Sequence, residues 1–169
     1  MIYAFDTYYF NDKAQSVCIG FDDWGSTTYS ILKSEISPIE DEYVSGQFYK
    51  RELPCILRLS NQIAFKENDI IVIDGYVVLN DDGKPGLGGH LFQALGKSVP
   101  IIGVAKNNFA TLHQRKREVR RGQSKKPLYV TAMGMDLDEA SENIRKMAGS
   151  FRMPDLLKEL DLLTRELIL

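Results

Sequence analysis

Ile70-Ile71-Val72-Ile73-Asp74-Gly75 is a run of four aliphatic residues closed by an acid and a glycine. Its length suits a strand, and the absence of any polar residue over 70–73 predicts a strand covered on both faces, as in sheets flanked by helices. Asp74-Gly75 ends the run with a turn signal. Downstream the pattern alternates. Gly86 onward, with Leu87, Leu91 and Leu95, reads as a helix, residues 100–105 as a second buried strand and 128–132 as a third. Asp136-Leu137-Asp138-Glu139 has the form of a capped helix start, with Ala140, Ile144 and Met147 as its buried stripe. Pro154 opens a last helix with Leu156, Leu160, Leu163 and Leu167 inward.

Upstream, Pro54 suits a helix first turn, where its missing N–H costs nothing, and Ile56, Leu59 and Ile63 trace the helical face, with Ser60 a polar break. A linker near Ser37-Pro38 separates this helix from three strands, expected over 2–5, 17–21 and 27–32. Asn11-Asp12-Lys13 and Asp23-Trp24-Gly25 are the turns between them. Connections this short imply an antiparallel meander. A meander followed by β-α units predicts an α/β fold, a mixed sheet flanked by helices, in a single domain over residues 1–169.

The chain has 169 residues, 44% hydrophobic and 26% charged, with a net charge of −2. That is enough to close a sizeable core, and the charge balance by itself demands neither a nucleic-acid nor a membrane partner. No apolar run approaches the roughly 18 residues of a spanning helix. The first residues carry neither the basic start nor the long apolar stretch of a signal peptide, so a cytoplasmic location is expected. Cys18 and Cys55 stand far apart among apolar neighbours, as two buried thiols.

The chemistry sits at strand ends. Asp6 closes the first strand and Asp74 the strand at 70–73; if those strands are neighbours, two carboxylates meet at the rim where open α/β sheets bind ligands. Like charges that close raise each other's pKa unless a cation lies between them, and Mg²⁺ is held by one or two carboxylates plus waters and phosphate oxygens. Spacing alone serves equally for a turn and a solvated strand end. Glu52, at a helix start, is by itself a favourable macrodipole acid. Lys106 follows the strand at 101–105, where an ammonium can hold a phosphate or steady a leaving oxygen.

Taken in order, Tyr43-Val44-Ser45-Gly46, Arg51-Glu52-Leu53-Pro54, Val72-Ile73-Asp74-Gly75, Gly86-Leu87-Gly88-Gly89-His90-Leu91, Ile102-Gly103-Val104-Ala105-Lys106, Pro127-Leu128-Tyr129-Val130 and Met153-Pro154-Asp155-Leu156 resemble the endonuclease V family over nearly the whole chain. The resemblance implies a ribonuclease H-like fold and Mg²⁺-dependent cleavage of nucleic acid, DNA or RNA, near deaminated adenine (inosine), with Mn²⁺ as an alternative ion. It places Asp6, Glu52 and Asp74 as metal ligands, Glu52 and Lys106 as catalytic groups, and Tyr43, Gly46 and Gly75 against the substrate.

Four departures mark a short, divergent member. Gly134-Met135 replaces the family's Gly-His pair, and the neighbouring Asp136 reads as an oxygen ligand or, better, as the cap of the next helix. Ser45 replaces the proline of the strand-separating wedge, although Tyr43 can still stack on a base. Val77 stands where the family has a second glycine, adding bulk where a flipped base would press. The stretch between Lys106 and Pro127 is compressed, and 115–126 carries Arg115, Lys116, Arg117, Arg120, Arg121, Lys125 and Lys126 against Glu118 alone, a solvated loop or a phosphate-binding arm. His90 reads as a packing residue and His113 carries no signal. The expectation is a metal-dependent endonuclease. The alternative is a nucleic-acid-binding relative impaired in catalysis by the lost histidine, and a weaker third is a phosphohydrolase of small substrates.

Overall fold

The computed structural model describes residues 1–39 and 49–166. β1 (Ile2–Phe10) and β2 (Lys13–Phe21) form a hairpin whose turn residues Asn11 and Asp12 take φ of 43° and 61°. Two consecutive left-handed residues form the turn that matches strand twist, and Asn and Asp tolerate it best after glycine. β3 (Ile31–Pro38) adds antiparallel to β2, from Gly20↔Ile31 to Lys13↔Pro38. It starts later than expected. Asp23 accepts from Gly25 N–H through its side chain and from Ser26 N–H through its carbonyl, which keeps the chain in a turn before pairing begins.

α1 (Tyr49–Ser60) also departs from expectation, because Pro54 lies inside it and not in its first turn. The pyrrolidine removes the N–H that would bond the Lys50 carbonyl, at the exposed flank of the helix. The remaining elements are β4 (Ile70–Asp74), α2 (Leu87–Ala94), β5 (Ile101–Ala105), β6 (Arg117–Val119), β7 (Leu128–Met133), α3 (Leu137–Arg145) and α4 (Asp155–Arg165). Among the described residues the strands form one seven-stranded sheet in the order β3-β2-β1-β4-β5-β7-β6. β1, β4 and β5 run parallel, whereas β7 is antiparallel to β5. The chain leaves β5 without a crossover helix and returns through β6, so it re-enters the sheet from the end it left. The basic stretch therefore contains a short edge strand.

Strand alternation sorts the core into two layers. Ile2, Ala4, Val72, Ile102 and Val104 face Ala140, Ile144, Leu156 and Leu160 of α3 and α4. Tyr3, Phe5, Ile71, Ile73 and Ile101 face Ile56, Leu59, Leu87 and Leu91 of α1 and α2. Each such fully buried aliphatic side chain stabilises the fold by about 1.5–3 kcal/mol. Cys18 and Cys55 are both free and buried, as expected. Among the described residues no helix is long and apolar enough to cross a membrane.

Candidate metal and phosphate site

Parity places the site. Ala4 and Val72 point to the α3/α4 layer, so Asp6 and Asp74, two residues on, project from the same face, and Lys106 follows Val104 likewise. Asp6 does not end its strand as expected. Parallel pairing with β4 stops at Phe5↔Ile73, while antiparallel pairing with β2 continues to Phe10↔Lys13. Asp6 is thus the first residue of β1 beyond the parallel rim, level with Asp74.

The two aspartates open onto a cavity of about 330 Å³. Its floor is apolar, made by Phe5, Val72, Ile73 and Val104, and its far wall is α4 with the loop before it: Phe151, Arg152, Met153, Leu157, Lys158, Leu160 and Asp161. Lys106 closes one side. Asp161 is the acid that sequence reading missed. It lies beside the inward Leu156/Leu160 stripe, four residues after Leu157, so a carboxylate interrupting Leu160-Asp161-Leu162 was the available signal. Only the packing of α4 across β1 and β2 brings it to the other acids.

The electrostatics are those of crowded carboxyls. Asp6 is pushed up from 3.8 to about 7 by burial first and the Asp74 charge second, with Asp161 adding to the rise and the Thr7 N–H and Lys106 opposing it. Burial also raises Asp74, against Lys106 and with Asp161. Glu52 reaches the same field from α1 on the opposite layer. It is buried, and its carboxyl is pushed well above the usual range by burial and then by Asp6 and Asp74. Its Oε2 has no hydrogen-bond partner among the described residues. A buried acceptor without a donor and three disfavoured negative charges are what a cation would relieve. Among the described residues no three His, Cys, Asp or Glu side chains close around one point as direct ligands. Mg²⁺ takes one or two carboxylates directly and keeps waters for the rest, so Asp6 and Asp74, level by strand register, are the pair that could hold it.

Gly75 follows at φ +120°, a backbone that L side chains rarely adopt, with open space where a Cβ would stand and its N–H bonded to the Val104 carbonyl at 2.9 Å. Tyr43 and Gly46 lie outside the described residues. Val77 differs from expectation. It is fully buried, and its side chain sits beneath Gly88, where any Cβ would stand 2.6 Å from Val77 Cγ2. Its bulk fills the α2 interface of the core.

Asp136 caps α3, accepting the Glu139 N–H at 2.9 Å, which is the helix-cap reading. His90 stacks on Tyr49 at 3.7 Å between ring centroids, a packing role. Two cations of the basic stretch are tied into the fold. Arg117 pairs with Asp138 at 2.8 Å. Arg121 is buried and donates to the carbonyls of Arg145, Met147, Gly149, Phe151 and Arg152. Arg152 in turn bonds the carbonyls of Pro127 and Lys106, tying the cavity wall to the exit of β5.

The same architecture recurs in solved structures. Human endonuclease V superposes with a TM-score of 0.73 at 22% identity, over 97% of this chain and 82% of that one. The Bacillus subtilis enzyme gives 0.72 at 20% identity, over 97% and 78%. Ciona intestinalis endonuclease V, solved with a 24mer DNA containing an inosine followed by a ribo-adenosine, gives 0.75 at 16% identity, over 97% and 84%. At these identities the likeness shows the fold. No curated protein sequence matches significantly. The Endonuclease V family model matches residues 1–129, and that span contains Asp6, Glu52, Asp74 and Lys106. With three quarters of the chain under the model and the ribonuclease H-like sheet in place, this protein belongs to the endonuclease V family.

Proposed function

We propose that this protein is a Mg²⁺-dependent endonuclease that hydrolyses a phosphodiester bond of nucleic acid near inosine, with Mn²⁺ able to substitute. The observation that carries the reading is the pair Asp6 and Asp74, set level by the β1–β4 register and opening with Lys106 onto one cavity, with the buried, unpartnered Glu52 carboxyl in their field. Family membership and the inosine-containing DNA held by the Ciona relative support the substrate class.

Asp6 and Asp74 would hold the ion, with Glu52 behind them. Bound there, Mg²⁺ supplies Lewis acidity at a phosphate oxygen and a lowered pKa for water. Glu52 handles the proton: its buried, unpartnered carboxyl is pushed well above the usual range by burial and then by Asp6 and Asp74, which favours its taking one up. Lys106, exposed on the cavity edge, offsets charge on the departing oxygen. Leu157 and Val104 exclude water from the inner wall and strengthen each of these electrostatic contacts. Tyr43, Gly46 and Gly75 are the proposed substrate contacts.

Asp161 bears on the competing reading of an impaired binding relative. A fourth acid facing the aspartates supplies an oxygen donor that does not depend on the residue at Met135. Incubation of inosine-containing and undamaged oligonucleotides, DNA and RNA, with Mg²⁺ or Mn²⁺ tests the proposal. Cleavage abolished in Asp74→Asn supports it; tight binding with no cleavage in either metal sinks it and leaves a binding module.

A further inference from the structure

Phe151 is 69% exposed, the most open of the large hydrophobic side chains among the described residues, and it lies on the rim of the acidic cavity. The described residues leave it uncovered, although free energy favours turning such a ring inward. The segment bearing it is held firmly from behind. Arg121 donates to the Phe151 carbonyl at 2.6 Å and to the Arg152 carbonyl at 3.4 Å. Gly122, at φ +58°, lets the backbone approach so closely that a Cβ there would stand 2.1 Å from the Ser150 carbonyl oxygen. The ring is therefore presented outward by a fixed backbone, as a platform must be.

Its surroundings select the ligand. Lys158 Nζ lies 5.9 Å from the ring centroid, and Lys158, Arg152 and Lys106 line the same cavity. An apolar partner would gain nothing from the cation beside this ring or from the Lys106 and Arg152 charges elsewhere on the cavity. A phosphate-bearing strand gains from both, since aromatic faces stack bases while flanking cations track the backbone.

We propose that Phe151 is a stacking platform for a nucleobase of the bound strand, next to the nucleotide whose phosphate lies over Asp6 and Asp74. The inference rests on the nucleic-acid function proposed above. It adds a base contact on the α4 side of the site, opposite Gly75.

The test uses single-stranded oligonucleotides with 2-aminopurine placed at successive positions around inosine, in Ca²⁺ to suppress turnover. The wild type quenches the fluorescence at one position, Phe151→Ala restores it, and Phe151→Tyr keeps it quenched. Affinity falls about 5- to 150-fold in Phe151→Ala, the range set by loss of one base-aromatic stack. An abasic site at the quenched position weakens the wild type by the same factor and leaves Phe151→Ala unchanged, which isolates the pair. If the wild type binds and Phe151→Ala shows equal affinity and equal quenching, the platform is refuted while the nucleic-acid reading stands. If the wild type binds no oligonucleotide, both fall.

Discussion

Raising the pH of the metal-free protein should unfold it more easily, and replacing Asp6 by Asn should remove much of that sensitivity. Folding moves the Asp6 carboxyl from 3.8 to about 7, so the folded state binds this proton more tightly than the unfolded chain does. The stability it contributes is fully present below pH 3.8 and is lost as pH rises through about 7. Between about pH 5 and pH 8 the loss is about 3 kcal/mol for this one group. For a chain of this size that is a fall in Tm of about 5–10 °C. Glu52 and Asp74, also raised, act in the same direction. The assay is thermal unfolding by circular dichroism in EDTA across that range, for wild type and Asp6→Asn. Asparagine keeps an oxygen for the Thr7 N–H, bonded at 2.9 Å, and carries no charge. The stability advantage of the variant should therefore widen as pH rises, and Mg²⁺ at the alkaline end should recover the wild type more than the variant. A wild type whose stability is flat or rising over this range, or a variant that tracks it in parallel, refutes the crowded-acid account of the site.

Two further substitutions probe the wall opposite the aspartates. Asp161→Asn removes a charge that raises both Asp6 and Asp74, so the metal-free protein should melt higher at alkaline pH while its Mg²⁺-induced stabilisation shrinks and cleavage falls about 10- to 100-fold, read by paired melting curves and oligonucleotide cleavage. Arg121→Met strands five backbone carbonyls under the 145–152 segment and should cost about 2–4 kcal/mol in urea unfolding, with the acids themselves untouched.

Much of the sheet was legible because strands covered on both faces read as unbroken apolar runs; residues 70–73 and 101–105 fall within β4 and β5. The third strand was placed too early because side-chain bonds from Asp23 and Ser26, which hold the turn open, leave no periodic trace. α1 extends before Pro54 because proline near a helix start costs one exposed carbonyl bond, a penalty that tertiary packing on β1 and β2 outweighs. The direction of β7 was hidden for another reason: an apolar run has no polarity, and only the missing crossover helix decides which way it enters. At the site, Asp74 and Lys106 were readable at strand ends, whereas Asp6 lies inside β1 and reaches the rim because its parallel pairing with β4 stops one residue earlier. Asp161 was not, since its position depends on where α4 crosses the sheet.

Arg121 and Arg117 change how nucleic acid would be held. Counted as charge alone, the 115–126 stretch looks like an arm for phosphates. Yet Arg121 is buried against carbonyls, Arg117 is paired with Asp138, and three N–H groups of 113–115 are gathered on Asp81. A cation already committed to a carbonyl or carboxylate releases little when a phosphate arrives, so it adds little to the salt dependence of binding. The exposed Arg115, Arg120, Lys125 and Lys126 are left to meet a strand, together with Lys106 and Lys158 on the cavity itself. On the cavity, Lys106 and Lys158 stand among Asp6, Asp74 and Asp161, so a bound cation would tip the balance of charge toward phosphate. Metal dependence of binding should then map to the cavity, and salt dependence to the cavity lysines together with the exposed cations of the 115–126 stretch.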